Sequence, residues 1–213
     1  SPQTLSKTKY FLQPKDFIVY KLTGNFTTDY TLACRTLLFD IRRLDWIEEF
    51  FKEFRIPNLF PQVLKSTDIA GELEESAAEE LGLEKGIPVV AGGGDRPIQM
   101  IAAGVKKTGE FVEHMGSVVN LSTILEEPKL FEDAKILVGL HALEKKWLSE
   151  ASVSAGKLIL NWLIELLGIG KEEQNLIDYN VSKTPPSSED LLIVPHLQGA
   201  RAPWLSLIHI SEP

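Results

Sequence analysis

Apolar positions in this chain keep two rhythms. Over residues 14–22, Phe17, Ile18 and Leu22 recur at helical spacing on one face and Gly24 follows as a stop, which predicts a helix. Over 46–54, Ile47, Phe50, Phe51 and Phe54 repeat that period behind Asp45, a candidate N-cap, and these aromatics are expected in a core. Residues 27–30 read as a polar turn. Residues 69–73 read as a short strand, 74–83 as a helix closed by Gly82 or Gly86, and the β-branched run 88–91 as a buried strand. A helix over 97–103 follows. Such strand–helix alternation predicts an α/β layer. Past Gly104 the texture changes, and a domain boundary is expected there. Residues 110–125 read as paired strands about a Gly116-Ser117 turn, and 136–148 as a second pair. Residues 154–167 are apolar nearly all round, which predicts a buried helix. Residues 185–188 read as a loop and 191–195 as a buried strand.

The richest stretch is Val89-Val90-Ala91-Gly92-Gly93-Gly94-Asp95. A strand ends in three glycines, where backbone can fold tightly or approach a ligand closely. A carboxylate follows at the head of a helix, at the strand end where open α/β sheets bind ligands. Asp95 is therefore either a catalytic carboxylate or an N-cap with Pro97 in the first turn. The spacing G-x-G-x-x-G of dinucleotide folds is absent.

Composition narrows the function. The 213 residues are 44% hydrophobic and 24% charged, as in globular domains, and carry a net charge of −8. No basic patch suits a nucleic acid or an anionic membrane, and neither is expected as a partner. Cys34 is the sole cysteine, which excludes an intrachain disulfide and a multi-cysteine zinc site and fits a reducing, cytoplasmic setting. The four histidines lack metal-ligand spacing. The longest apolar run, 158–170, contains Asn161 and Glu165 and is too short to span a bilayer. No charged stretch followed by an apolar run opens residues 1–30, so no signal peptide is expected.

Taken in order, several of these pieces resemble the FGGY family of carbohydrate kinases. Lys15-Asp16-Phe17-Ile18 through Leu22-Thr23-Gly24 and Thr28-Asp29 resembles its K-D-[YF]-[LI]…L-T-G…T-D stretch. Leu37-Leu38-Phe39-Asp40 with Trp46 resembles its L-F-D…W segment. Val89 to Asp95 resembles V-x-x-G-x-G-D, and Met115-Gly116-Ser117 its Gly-Thr turn. Pro195 to Trp204 resembles P-x-L-x-G-E-R-x-P-W. The match runs over residues 10–204 and is most similar to xylulokinase-like members. It implies an α/β, actin-like ATPase (ribonuclease H-like) two-lobed fold, truncated at both ends. Residues 1–103 would be the C-terminal part of the first, sugar-binding lobe and 104–204 the N-terminal part of the second, ATP-binding lobe.

The resemblance further implies ATP-dependent phosphorylation of a sugar or polyol hydroxyl, with ATP and Mg2+ as cofactors and a homodimer for the intact protein. Asp95 would be the general base, with Gly94 and Arg96 beside it in contact with substrate. A carboxylate in that place suits the helix dipole and a late proton transfer. Glycines 92 to 94 would let sugar and phosphate approach the backbone. Gly116 and Ser117 would lie at the ATP phosphates, or form a plain β-turn. Gly156 would lie at the nucleotide cleft, or serve helix packing. Asp29 reaches the substrate side or holds its own turn through an Asx-type bond, the favoured reading. Arg201 is read as structural.

Departures matter too. Arg96 stands where relatives carry Asn or Gln, so the substrate is anionic or unusual, or Arg96 points away. Ala200 replaces a Glu, and Ser117 a Thr. No D-x-G-T phosphate loop is present and no glycine-rich adenosine segment follows residue 204, so the 213 residues alone are expected to be a poorly soluble, inactive fragment. Residues 205–213 resemble translated sequencing-adapter read-through and are expected to be a non-native tail, the alternative being a divergent loop. A non-catalytic actin-like nucleotide- or sugar-binding module is the competing function.

Overall fold

The computed structural model describes residues 2–116, 118–131, 136–154, 156–170, 174–185, 188, 190 and 191. The predicted strand at 191–195, the Pro195 to Trp204 motif, Ser117 and the tail 205–213 lie wholly or almost wholly outside them.

In chain order the elements are α1 (Pro2–Leu5), α2 (Pro14–Thr23), β1 (Thr27–Asp29), α3 (Tyr30–Ala33), a 3-10 turn (Cys34–Thr36), β2 (Phe39–Asp40), β3 (Asp45–Trp46) and α4 (Glu48–Glu53). There follow β4 (Gln62–Leu64), β5 (Ile69–Glu72), α5 (Glu75–Leu81), β6 (Pro88–Val90) and α6 (Asp95–Ala102). The remainder is β7 (Phe111–Met115), β8 (Val119–Leu125), β9 (Leu137–Leu140), β10 (Trp147–Val153), α7 (Lys157–Leu166) and α8 (Gln174–Lys183).

The chain divides into two compact units. The first comprises Ser1–Glu110, Thr123–Lys129 and Val138–Ser149, and the second the described parts of Phe111–Ser122, Leu130–Leu137 and Glu150–Pro213. One four-stranded sheet has the order β7-β8-β10-β9; the second strand pair, expected over 136–148, extends to Val153. The other sheets are two-stranded: β1 with β4, β2 with β3, and β5 with β6.

In the first unit one core cluster joins Ala33, Cys34, Phe39, Trp46, Phe51 and Leu140. Phe39 meets Trp46 edge-on at 5.2 Å and Trp46 stacks on Phe60 at 4.4 Å, arrangements that ring quadrupoles favour. A smaller cluster of Val19, Ala70 and Ala91 lies under α2.

Several sequence expectations change. Helix α2 buries Asp16, Val19 and Thr23 rather than Phe17 and Ile18, which stay exposed. The polar face turns inward because its groups are satisfied: Asp16 lies 3.0 Å from the Lys15 ammonium, and Thr23 donates to the carbonyl of Val19 at 2.8 Å. Residues 27–30 are a strand and helix start, not a turn; parallel pairing of β1 with β4 overrides their polarity. Asp45 is a strand residue paired with Asp40, and Ile47 occupies the N-cap of α4. Phe51 is core as expected, whereas Phe50 and Phe54 stack on each other in the open. The strand β6 is not buried: it pairs antiparallel with β5 alone, and Val90 is exposed. Helix α7 forms where expected but has no fully buried residue: Leu158, Ile159, Leu163 and Ile164 are half-buried, and Leu160, Trp162 and Leu166 are exposed. The helix α8 was not foreseen; its alternation of polar and apolar residues gives no strong period.

Candidate active site

Asp95 owes its place to a sharp change in backbone. β6 ends at Val90, and Gly92 takes a left-handed φ of +70°, a region that costs other residues about 1–2 kcal/mol. Gly93 runs so close to its surroundings that a Cβ would come within 3.1 Å of the Ile98 side chain and 3.2 Å of the Ser66 hydroxyl. Gly94 is the N-cap of α6, and Asp95 is the first helical residue. The N-cap reading of Asp95 is thus corrected. Its exposed carboxylate accepts the Arg96 backbone N–H at 2.8 Å and sits where the helix dipole favours negative charge. Pro97 follows in the first turn, where a missing N–H costs nothing, and packs inward with Met100. Arg96 is half-buried.

Beneath this turn lies a buried polar network that joins two of the sequence motifs. Lys15 is its cation. The ammonium lies 3.0 Å from Asp16 Oδ1 and 3.3 Å from Asp29 Oδ1, and donates to the carbonyl of Ala91 at 2.8 Å. Both carboxylates are buried, Asp29 completely. Asp29 Oδ2 accepts three hydrogen bonds: from Thr31 N at 3.0 Å, from the Thr31 hydroxyl at 2.6 Å and from the Ser66 hydroxyl at 2.8 Å. The Asx-type bond expected of Asp29 is present, but it caps α3 rather than holding a turn at Thr27-Thr28, which are strand residues. Charged acceptors and buried donors in such a set strengthen one another.

The network reaches the glycine turn at successive points. Thr31 Oγ1 accepts the Gly94 N–H at 2.7 Å, the carbonyl of Ser66 accepts the Gly92 N–H at 3.0 Å, and the carbonyl of Asp68 accepts the Ala91 N–H at 2.9 Å. Two of the three glycine N–H groups, those of Gly92 and Gly94, are committed to the protein. Sequence reasoning quoted Lys15 and Asp29 as motif letters but missed Thr31 and Ser66. Their signal, a hydroxyl two residues after Asp29 and another before Asp68, is too common to single them out. Asp16 and Thr28 also border a cleft of about 80 Å³ walled by Phe11, Trp46 and Phe60, and Asp95 does not line it.

The second unit brings together two of the phosphate-site candidates. Gly116 stands in the β7–β8 turn, with its N–H donating to the carbonyl of Val118 at 3.2 Å. Its own carbonyl accepts the Lys157 N–H at 2.9 Å, which ties the turn to the head of α7. Gly156 is the N-cap of that helix, and no side chain caps it. The start of this ten-residue helix, where the dipole favours negative charge, has no side-chain cap, while its Lys157 and Ile159 N–H groups go to the carbonyls of Gly116 and Gly156. Lys157 adds an exposed positive charge that the sequence reading passed over.

Titration elsewhere follows burial. His141 is buried and pushed down to about 4, and its Nδ1 accepts the Leu143 N–H at 3.0 Å, as a neutral ring must. Burial raises the Cys34 thiol, which donates to the carbonyl of Thr31 and accepts the Leu140 N–H, each at 3.3 Å. No group of three potential metal ligands occurs among the described residues, and no described helix is long and apolar enough to cross a membrane.

Comparison with known proteins bears on these features. Residues 1–104 match the model of the FGGY family of carbohydrate kinases, N-terminal domain. A xylulose kinase of Lactococcus lactis subsp. lactis is 32% identical over 206 residues, covering 95% of this chain and 40% of the relative. A gluconokinase of Bacillus subtilis is 26% identical over 209 residues, covering 93% of this chain and 40% of the relative. The structure of ligand-bound xylulose kinase from Lactobacillus acidophilus superposes with a TM-score of 0.86 at 22% identity, covering 97% of this chain and 42% of that one. The chain thus spans about 40% of the length of these relatives. The structural likeness shows the fold, and the α/β actin-like ATPase class expected from the sequence stands. The family match over the strand–glycine–Asp95 unit and the likeness carried along nearly the whole sequence lead to one conclusion: the chain belongs to the FGGY family of carbohydrate kinases.

Proposed function

We propose that the full-length protein transfers a phosphoryl group from ATP to a hydroxyl of a sugar or polyol, with a pentulose such as xylulose as the first candidate, and that Asp95 is the general base. The observation that carries this reading is the division of labour at the glycine turn. Backbone groups on both sides of Asp95 are tied down, while its carboxylate faces solvent at a helix start. A base needs that combination of a fixed origin and an open face.

Asp95 accepts the proton of the attacking hydroxyl as that oxygen moves onto phosphorus. Little covalent help is needed in phosphoryl transfer, so orientation and charge matter most. ATP supplies the phosphoryl group and Mg2+ its charge neutralisation. The uncapped start of α7, Gly156, Gly116, Ser117 and the Lys157 charge fit the phosphates. Magnesium favours phosphate oxygens and water over dedicated protein cages. Gly94 and Arg96 flank the substrate side, and the Arg96 guanidinium suits a carboxylate on the sugar. Names among the relatives support the substrate class, since those proteins are called xylulose kinase and gluconokinase. A homodimer and a cytoplasmic location accompany this reading.

The test is ATP consumption by the full-length protein against pentuloses, hexuloses, polyols and sugar acids. With the best sugar, Asp95→Asn should lower kcat by at least about a hundredfold, the scale of general-base contributions. Full activity in that variant removes Asp95 from the chemistry. ATP binding without turnover on any sugar moves the protein to the binding-module reading. A preference for sugar acids, lost in Arg96→Gln, assigns Arg96 to the substrate.

A further inference from the structure

Asp95 projects from the first turn of α6, and the residue before it has no side chain. Its direction is therefore set by the backbone of the glycine turn. That backbone is held by Lys15 at Ala91, by the Ser66 carbonyl at Gly92 and by the Thr31 hydroxyl at Gly94. The last tether is nearest to Asp95 and the only one made by a neutral side chain.

We propose that Thr31 is a positioning residue for Asp95: its hydroxyl joins the buried Asp29 carboxylate to the Gly94 N–H and so fixes the angle at which α6 begins. This rests on Asp95 being the base. The direction of the bonds is forced. Asp29 as a carboxylate only accepts, so the single hydroxyl proton of Thr31 goes to it, at 2.6 Å. The oxygen is then left as an acceptor, and Gly94 N–H fills it at 2.7 Å. Ser66 donates to the same Oδ2, and Lys15 balances the charge at Oδ1. A hydroxyl polarised by a buried carboxylate makes a stronger, better-directed acceptor than a free one. Thr31 is 1% exposed, so water does not replace it. Misplacing a catalytic group by about 1 Å costs on the order of a hundredfold in rate.

The experiment uses the full-length protein with D-xylulose, or whichever sugar of the panel turns over, and ATP. Thr31→Val keeps the shape and removes the hydroxyl; Thr31→Ser keeps the hydroxyl. Thr31→Val should lower kcat roughly ten- to a hundredfold, with the KM for ATP unchanged. Thr31→Ser should restore kcat to near the parent value. Hydrogen exchange in the peptide spanning residues 92–95 should quicken in Thr31→Val and not in Thr31→Ser, a readout that needs no turnover and serves as well if Thr31→Ala must replace an unfolded Val variant. An unchanged kcat in Thr31→Val beside an inactive Asp95→Asn overturns the positioning role and leaves the base in place. An active Asp95→Asn overturns both. Without turnover on any sugar, unchanged exchange at 92–95 overturns the tether itself.

Discussion

The chain contains two glycine turns at helix starts, and they are built on opposite principles. At Gly92–Gly94 the turn is anchored from below by three separate segments, through the Lys15 and Thr31 side chains and the Ser66 carbonyl, and a single carboxylate is left facing out. At Gly116 the turn is joined to α7 by a backbone bond, and no side chain caps the helix start. The first arrangement suits a group that must hold an angle. The second suits a large polyanion that brings its own charge and fills the donors itself. Two glycine turns in the sequence thus conceal one rigid mount and one receptive cradle.

The largest break in this comparison should come from Lys15→Met. Removing the cation leaves Asp16 and Asp29 buried without a counter-charge, which costs about 3–5 kcal/mol. Urea unfolding of the full-length protein measures it. A loss below about 1 kcal/mol would show that the turn stands without its ionic anchor.

An intermediate effect should follow pH, because His141 belongs to the same unit as the anchored turn. Its folded-state value lies near 4, below the ordinary 6.5. As pH falls through 6.5 the unfolded chain takes up a proton that the folded chain refuses, so stability declines between 6.5 and about 4 and levels off below. The decline amounts to no more than about 3 kcal/mol. Chemical denaturation at a series of pH values should show this slope, and His141→Asn should flatten it.

The smallest and sharpest comparison sets Gly92→Ala against Gly116→Ala. Gly92 has a left-handed φ with its nearest neighbour 3.7 Å from a Cβ, so strain alone acts, at about 1–2 kcal/mol. Gly116 shows no positive φ and no atom closer than 3.7 Å to a Cβ, so its substitution should stay within about 0.5 kcal/mol. Equal thermal shifts in the two variants would erase the distinction between mount and cradle.

How much of this was legible in the sequence depended on the range of the interactions. The turn after Val90 was legible because β-branched residues, three glycines and a carboxylate act locally. So were the strand pairs around Gly116 and the helix at 157–166. The parallel pairing of β1 with β4 was not: Thr27-Thr28-Asp29 is short and polar, and its partner lies 35 residues further on. The inward face of α2 was misread for a related reason. Asp16 looks like a surface residue until the Lys15 ammonium and the Gln13 N–H are known to meet its carboxylate. The tethering of Gly94 by Thr31 across 63 residues has no local signature at all.

One further consequence follows from the lone cysteine. The Cys34 sulfur is clasped between the Thr31 carbonyl and the Leu140 N–H, one turn from the hydroxyl that holds Gly94. An aromatic disulfide reagent in solution cannot reach it until that clasp parts. The protein therefore carries a built-in stopwatch. The labelling rate of Cys34, divided by the rate for an open thiol, gives the fraction of time that the floor under Asp95 comes apart.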